Sequence, residues 1–74
     1  MNTITSEQRV KLDLLQRAMT TIALPVGPMH AWWDPIIDIR ECLAGRQTLM
    51  AMTPEERIED AELTLTRWGH KLPY

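Results

Sequence analysis

Apolar positions in the first third of the chain recur with the period of an α-helix. Leu12, Leu15, Met19 and Ile22 form one stripe, which Val10, Leu14 and Ala18 widen, leaving Arg9, Asp13, Gln16, Arg17 and Thr20 as the polar face. Lys11 interrupts the arc and can carry its ammonium outward along its own stem. Thr5 followed three residues on by Gln8 is capping-box spacing, so the pattern predicts a helix over residues 6–23. The arc is broader than one neighbouring helix can cover. It predicts either a central position touching two helices or a second chain against Leu14 and Ala18.

Pro25, Gly27 and Pro28 then break the periodicity, because proline lacks an N–H and restricts the residue before it. Asp34 and Pro35 read as N-cap and first helical residue of a second helix, over residues 35–50. Its apolar stripe is Ile36, Ile39, Leu43 and Met50, with Asp38 and Glu41 opposite. Gly45 offers two endings: a left-handed cap after Ala44, or an interior glycine costing about 1 kcal/mol relative to Ala in a helix that runs on to Ala51. Thr53-Pro54-Glu55-Glu56 combines an N-cap, a proline at the first helical position and acids at the positive end of the dipole. It opens a third helix over residues 54–69. There Ile58, Ala61, Leu65, Trp68 and Leu72 form a narrow seam, and Leu63 projects on the other side among Glu56, Glu59, Asp60 and Arg67. Gly69, His70 and Lys71 read as its end. The expected fold is all-α: one domain over residues 1–74, with the first helix wedged against the antiparallel second and third.

Composition narrows the picture. Seventy-four residues bury only about 60% of the surface the unfolded chain exposes, so stability is expected to be thin. The lone Cys42 rules out an internal disulfide, and His30 and His70 are too few for a structural zinc site. Oligomerisation is the remaining way to add buried surface, and a homodimer or higher oligomer is expected. The unpaired cysteine fits a reducing compartment, no apolar run reaches membrane-span length and the first residues lack a signal-peptide pattern; a cytoplasmic location is expected. A net charge of −2 supplies no field for nucleic acid.

Catalytic readings find little to stand on. Cys42 lies inside a helix without a neighbouring base in sequence, which points to an inert buried thiol. His30 and Asp34 provide two metal ligands at best. Glu55, Glu56, Glu59, Asp60 and Glu62 could pair as acid and base, yet acids in the first turns of a helix are what dipole complementation predicts. A helix-turn-helix would need the third helix in the major groove, where those five acids, against Arg57 alone, would repel phosphate; a short recognition helix over Arg46–Met52 would be mostly apolar. No enzyme activity, cofactor, metal, nucleic-acid partner or membrane partner is expected.

The aromatic residues carry the functional expectation. Trp32, Trp33 and Trp68 supply most of the aromatic surface in a chain with no Phe and one Tyr. Adjacent side chains cannot share a helical face, so Trp32 or Trp33, with Leu63, is the candidate contact for an unidentified protein partner. The expected function is that of a non-catalytic regulatory or inhibitory protein, of the kind common in phages and mobile elements. One alternative is a small-molecule or nucleotide-binding module at an oligomer interface, with indole stacking and a phosphate clamp from Arg40, Arg46 or Arg67. Another is an accessory subunit of a larger enzyme.

Overall fold

The computed structural model describes residues 4–27, 31–46 and 52–74. These form three α-helices, α1 (Ser6–Ala23), α2 (Trp33–Leu43) and α3 (Pro54–Arg67), with a 3-10 turn over Leu24–Val26 after α1. None of the helices is long and apolar enough to cross a membrane.

The first helix begins where its cap dictates. Thr5 Oγ1 accepts from the Gln8 N–H at 3.1 Å, and Gln8 Oε1 accepts from the Thr5 N–H at 3.0 Å. The same reciprocal pair opens α3, between Thr53 and Glu56, with Pro54 at the first position. The second helix departs from expectation at both ends. It starts at Trp33, preceded by Trp32 with no side-chain cap, so Asp34 is a first-turn acid and not the cap. Its last residue is Leu43, not residue 50. Gly45 takes φ +79°, its N–H donates to the Cys42 carbonyl, and the Arg46 N–H reaches back to the Glu41 carbonyl at 2.9 Å. This doubly bonded left-handed cap satisfies two of the four carbonyls a helix end leaves open. Gly69 and His70 close α3 in the same way after Arg67, two residues short of the expected end. Met50, placed by its spacing on the apolar stripe, the continuation to Ala51 and most of the Arg46–Met52 segment lie outside the described residues, as does His30.

The core is a single cluster: Leu12, Leu15, Met19 and Ala23 from α1, Ile36, Ile39 and Cys42 from α2, and Ile58, Ala61 and Leu65 from α3. The first helix is the central one. It packs along both others, which touch each other less, so two neighbours share its apolar arc. Arg9 Nη1 donates to the Leu43 carbonyl at 3.2 Å, which fixes α1 antiparallel to α2 and covers another open carbonyl at the α2 C-terminus. Val10, at the outer margin of the arc, stays 59% exposed, while Leu14 and Ala18 are half-buried.

Two charged residues overturn the polar-face reading. Asp38, assigned to the solvent side of α2, and Arg57, read as a lone base among surface acids, are both buried, at 2% and 1% exposure. Arg57 Nη1 donates to Asp38 Oδ2 at 2.5 Å, and Nη2 donates to Asp60 one turn along α3. Each lies four residues before a core position, Cys42 and Ala61, and so on the edge of the buried face. An apolar seam with opposite charges at its edges can be sealed by an ion pair joining the two helices.

Candidate functional site

With α2 antiparallel to its neighbours, the end of α1, the start of α2 and the end of α3 meet at one end of the bundle. All three tryptophans are there. Trp32 and Trp68 stack with ring centroids 4.6 Å apart and planes inclined by 23°, joining the N-cap of α2 to the C-cap of α3. Trp33 turns to the other side of α2, where the Arg40 guanidinium lies 6.0 Å from its ring centroid. Its indole Nε1 is buried and meets no hydrogen-bond acceptor among the described residues. All three indoles are half-buried against the core, so neither member of the doublet is the freely exposed one.

The exposed apolar surface at this end comes from residues whose candidacy the sequence pattern did not raise. Leu24 is 63% exposed and Val26 40% in the 3-10 turn, and Ile37, one turn beyond Trp33, is 41% exposed. Ile37 follows Ile36, so the reasoning applied to the Trp32-Trp33 doublet, that neighbours cannot share a helical face, would have found it. Leu63 is exposed on α3 as its position implied, away from the tryptophan stack.

The arginines named as a phosphate clamp are dispersed. Arg40 lies over Trp33, and with its amide oriented to satisfy both neighbours, Gln16 accepts from Arg40 Nε at 3.1 Å and from Nη2 at 3.3 Å. Arg67 is exposed beside Trp68 on the last residue of α3. Arg46 is at the opposite end of α2, paired with Glu41, which holds that carboxyl below the usual carboxylate range. Trp32 and Trp68 each give one ring face to the other.

The acids of α3 divide by role. Glu56 closes the capping box, and the backbone N–H of Thr53 keeps its carboxyl below the usual range. Asp60 takes one arm of Arg57. Glu55, Glu59 and Glu62 face Glu7 and Lys11 of α1 across an open groove of ≈ 390 Å³, floored by Ile58. Tyr74 closes on its rim, its hydroxyl donating to Glu62 and its ring lying 5.6 Å from Lys11 Nζ; burial and the Glu62 carboxylate raise the phenol well above its ordinary range. Among the described residues no cluster of three or more His, Cys, Asp or Glu has the spacing to hold a metal ion. Cys42 is 5% exposed, and burial, reinforced by the nearby Asp38 charge, pushes its thiol up and away from the reactive thiolate.

Neither family models, curated proteins nor solved structures yielded a match to this chain.

Proposed function

We propose that this chain is a non-catalytic regulatory or inhibitory protein that acts in the cytoplasm by binding another protein through its tryptophan end, and that it self-associates through α1 with Leu14 and Ala18 near the contact. The observation that carries the reading is the grouping of Trp32, Trp33 and Trp68 with the exposed Leu24, Val26 and Ile37 at one end of the bundle. Large aromatics fixed by packing and ringed by apolar side chains make the rigid, desolvatable centre on which protein interfaces concentrate their energy. Leu63, exposed on α3 away from the tryptophan stack, lies outside this footprint. The nucleotide reading is weaker, because Trp32 and Trp68 each spend one ring face on the other and Arg46 lies at the opposite end of α2.

The test compares capture of partners from cells of the source organism by the native chain and by Leu24→Asp and Ile37→Asp variants. Both positions are exposed, so the variants should keep the native melting temperature and lose the partner. Capture of the same protein by the native chain and both variants would refute the assignment of this end as the interface.

A further inference from the structure

The outer side of α1 carries a second seam, separate from its buried stripe. Glu7, Val10, Leu14, Arg17 and Thr21 follow one another at alternating spacings of three and four, which sets them along one line of a helix. Glu7 and Arg17 have side-chain exposures of 83% and 74%, Val10 is 59% exposed, Thr21 is exposed and Leu14 is half-buried. Tyr74 lies to one side of this line, over Lys11, and leaves the line itself open.

The order of these residues is self-complementary under reversal. Placed antiparallel to a second α1 about a two-fold axis that crosses the outer face at the height of residue 12, Val10 of one chain meets Leu14 of the other, and Glu7 meets Arg17. Both contacts occur twice, as an isologous interface requires. Shifting the pairing by one heptad either way sets Leu14 against Arg17 or Val10 against Glu7, burying an apolar side chain on a charge, so the sequence selects one register. Lys11 and Asp13 fall on opposite flanks beside the axis, each near its own symmetry mate. In its own chain Lys11 is 3.8 Å from Glu7 and Asp13 is 3.1 Å from Arg17, and this partial neutralisation limits the repulsion.

We infer that a second copy of this chain covers the outer face of α1 in an antiparallel, two-fold arrangement, with Val10 against Leu14 and Glu7 against Arg17. This rests on the self-association reading and specifies its geometry. One face of an 18-residue helix, about 27 Å long, falls short of the roughly 1,200 Å² that stable complexes bury. The dimer is therefore weak and concentration-dependent, and it leaves the tryptophan end free for another partner.

The experiment is sedimentation equilibrium from about 10 µM to about 1 mM, a range that brackets weak association. It compares the native chain with Glu7→Arg, Arg17→Glu and the Glu7→Arg/Arg17→Glu double variant, with circular dichroism to verify helix content. Each single reversal places like charges together at both symmetric contacts and should weaken the dimer about tenfold. The double variant restores opposite charges across the axis but sets like charges beside Lys11 and Asp13 within each chain, so it should bind more tightly than either single variant while falling short of the native chain. A native chain that stays monomeric throughout overturns self-association and this geometry together. A dimer that ignores the single reversals, or a double variant that binds no more tightly than the single variants, overturns the geometry alone.

Discussion

Removing Asp38 should expose how much of this domain depends on one ion pair. Asp38→Ala leaves the Arg57 guanidinium, 1% exposed, with Asp60 as its remaining carboxylate, and the Asp60 side chain is itself 40% exposed to water. Breaking a buried pair from one side typically costs about 3–5 kcal/mol, because the charge left behind is neither solvated nor matched. A domain of 74 residues has a total stability of about 4–11 kcal/mol, so the substitution should consume a large part of it. Asp60→Ala, which removes the water-exposed arm, should cost only about 0.5–1 kcal/mol. The Asp38→Leu/Arg57→Met double variant should recover to within about 1 kcal/mol of the native chain or exceed it, since apolar replacements of similar volume remove both desolvation penalties. They also remove Arg57 Nε, which is buried without a partner. Urea denaturation followed by far-ultraviolet circular dichroism measures all four proteins. A loss below about 1 kcal/mol in Asp38→Ala, or a double variant no more stable than Asp38→Ala, would refute the claim that the pair is desolvated in the native state.

Three further outcomes are expected. A double-mutant cycle on Trp32 and Trp68 should return a coupling of about 0.5–1.5 kcal/mol from their stacked rings, and additive losses in urea would contradict the stack. The depressed carboxyls of Glu56, held by Thr53, and Glu41, held by Arg46, contribute stability that is complete above the ordinary carboxylate pKa and is lost as pH falls through their lower folded values; Glu56→Gln should flatten the acid limb of a thermal-denaturation profile, and Thr53→Ala should cost about 1 kcal/mol at neutral pH. Mono-, di- and cyclic nucleotides should leave the tryptophan fluorescence unchanged, whereas saturable quenching abolished by Arg40→Ala would move the protein into the ligand-binding class.

The parts of this fold that were legible in the sequence are those fixed by local chemistry. The Thr5–Gln8 and Thr53–Glu56 boxes act within four residues of themselves, so the starts of α1 and α3 could be read directly. The breadth of the apolar arc left open a central α1 or a second chain against it, and the packing shows α1 between α2 and α3. Helix ends were harder to place, because Gly45 is compatible with both an interior position and a left-handed cap. The choice depends on whether the Arg46 N–H reaches the Glu41 carbonyl, a matter of geometry and not of composition. Asp38 and Arg57 were misplaced for a different reason. Periodicity sorts residues by polarity before it sorts them by direction, so a charge at the edge of the buried face is assigned to solvent until its partner on another helix is known. The Trp32–Trp68 stack joins residues far apart in the chain, and helical spacing carries no information about it.

The distribution of these devices along the bundle bears on function. At one end the chain is held by polar contacts: the two capping boxes, Arg9 on the Leu43 carbonyl, the Glu41–Arg46 pair and, behind them, the Asp38–Arg57 link between α2 and α3. At the other end, where Trp32, Trp33 and Trp68 gather, α2 begins without a side-chain cap and Trp33 buries an indole N–H that no acceptor meets. A surface built only for solubility would present polar groups there; this one presents Leu24, Val26 and Ile37 instead. Because the capping boxes and the buried Asp38–Arg57 pair do not involve Leu24, Val26 or Ile37, substitutions at these three exposed positions should change the proposed binding without much effect on folding. On the proposed reading, that separation would let the binding surface vary while the scaffold stays above the threshold of stability.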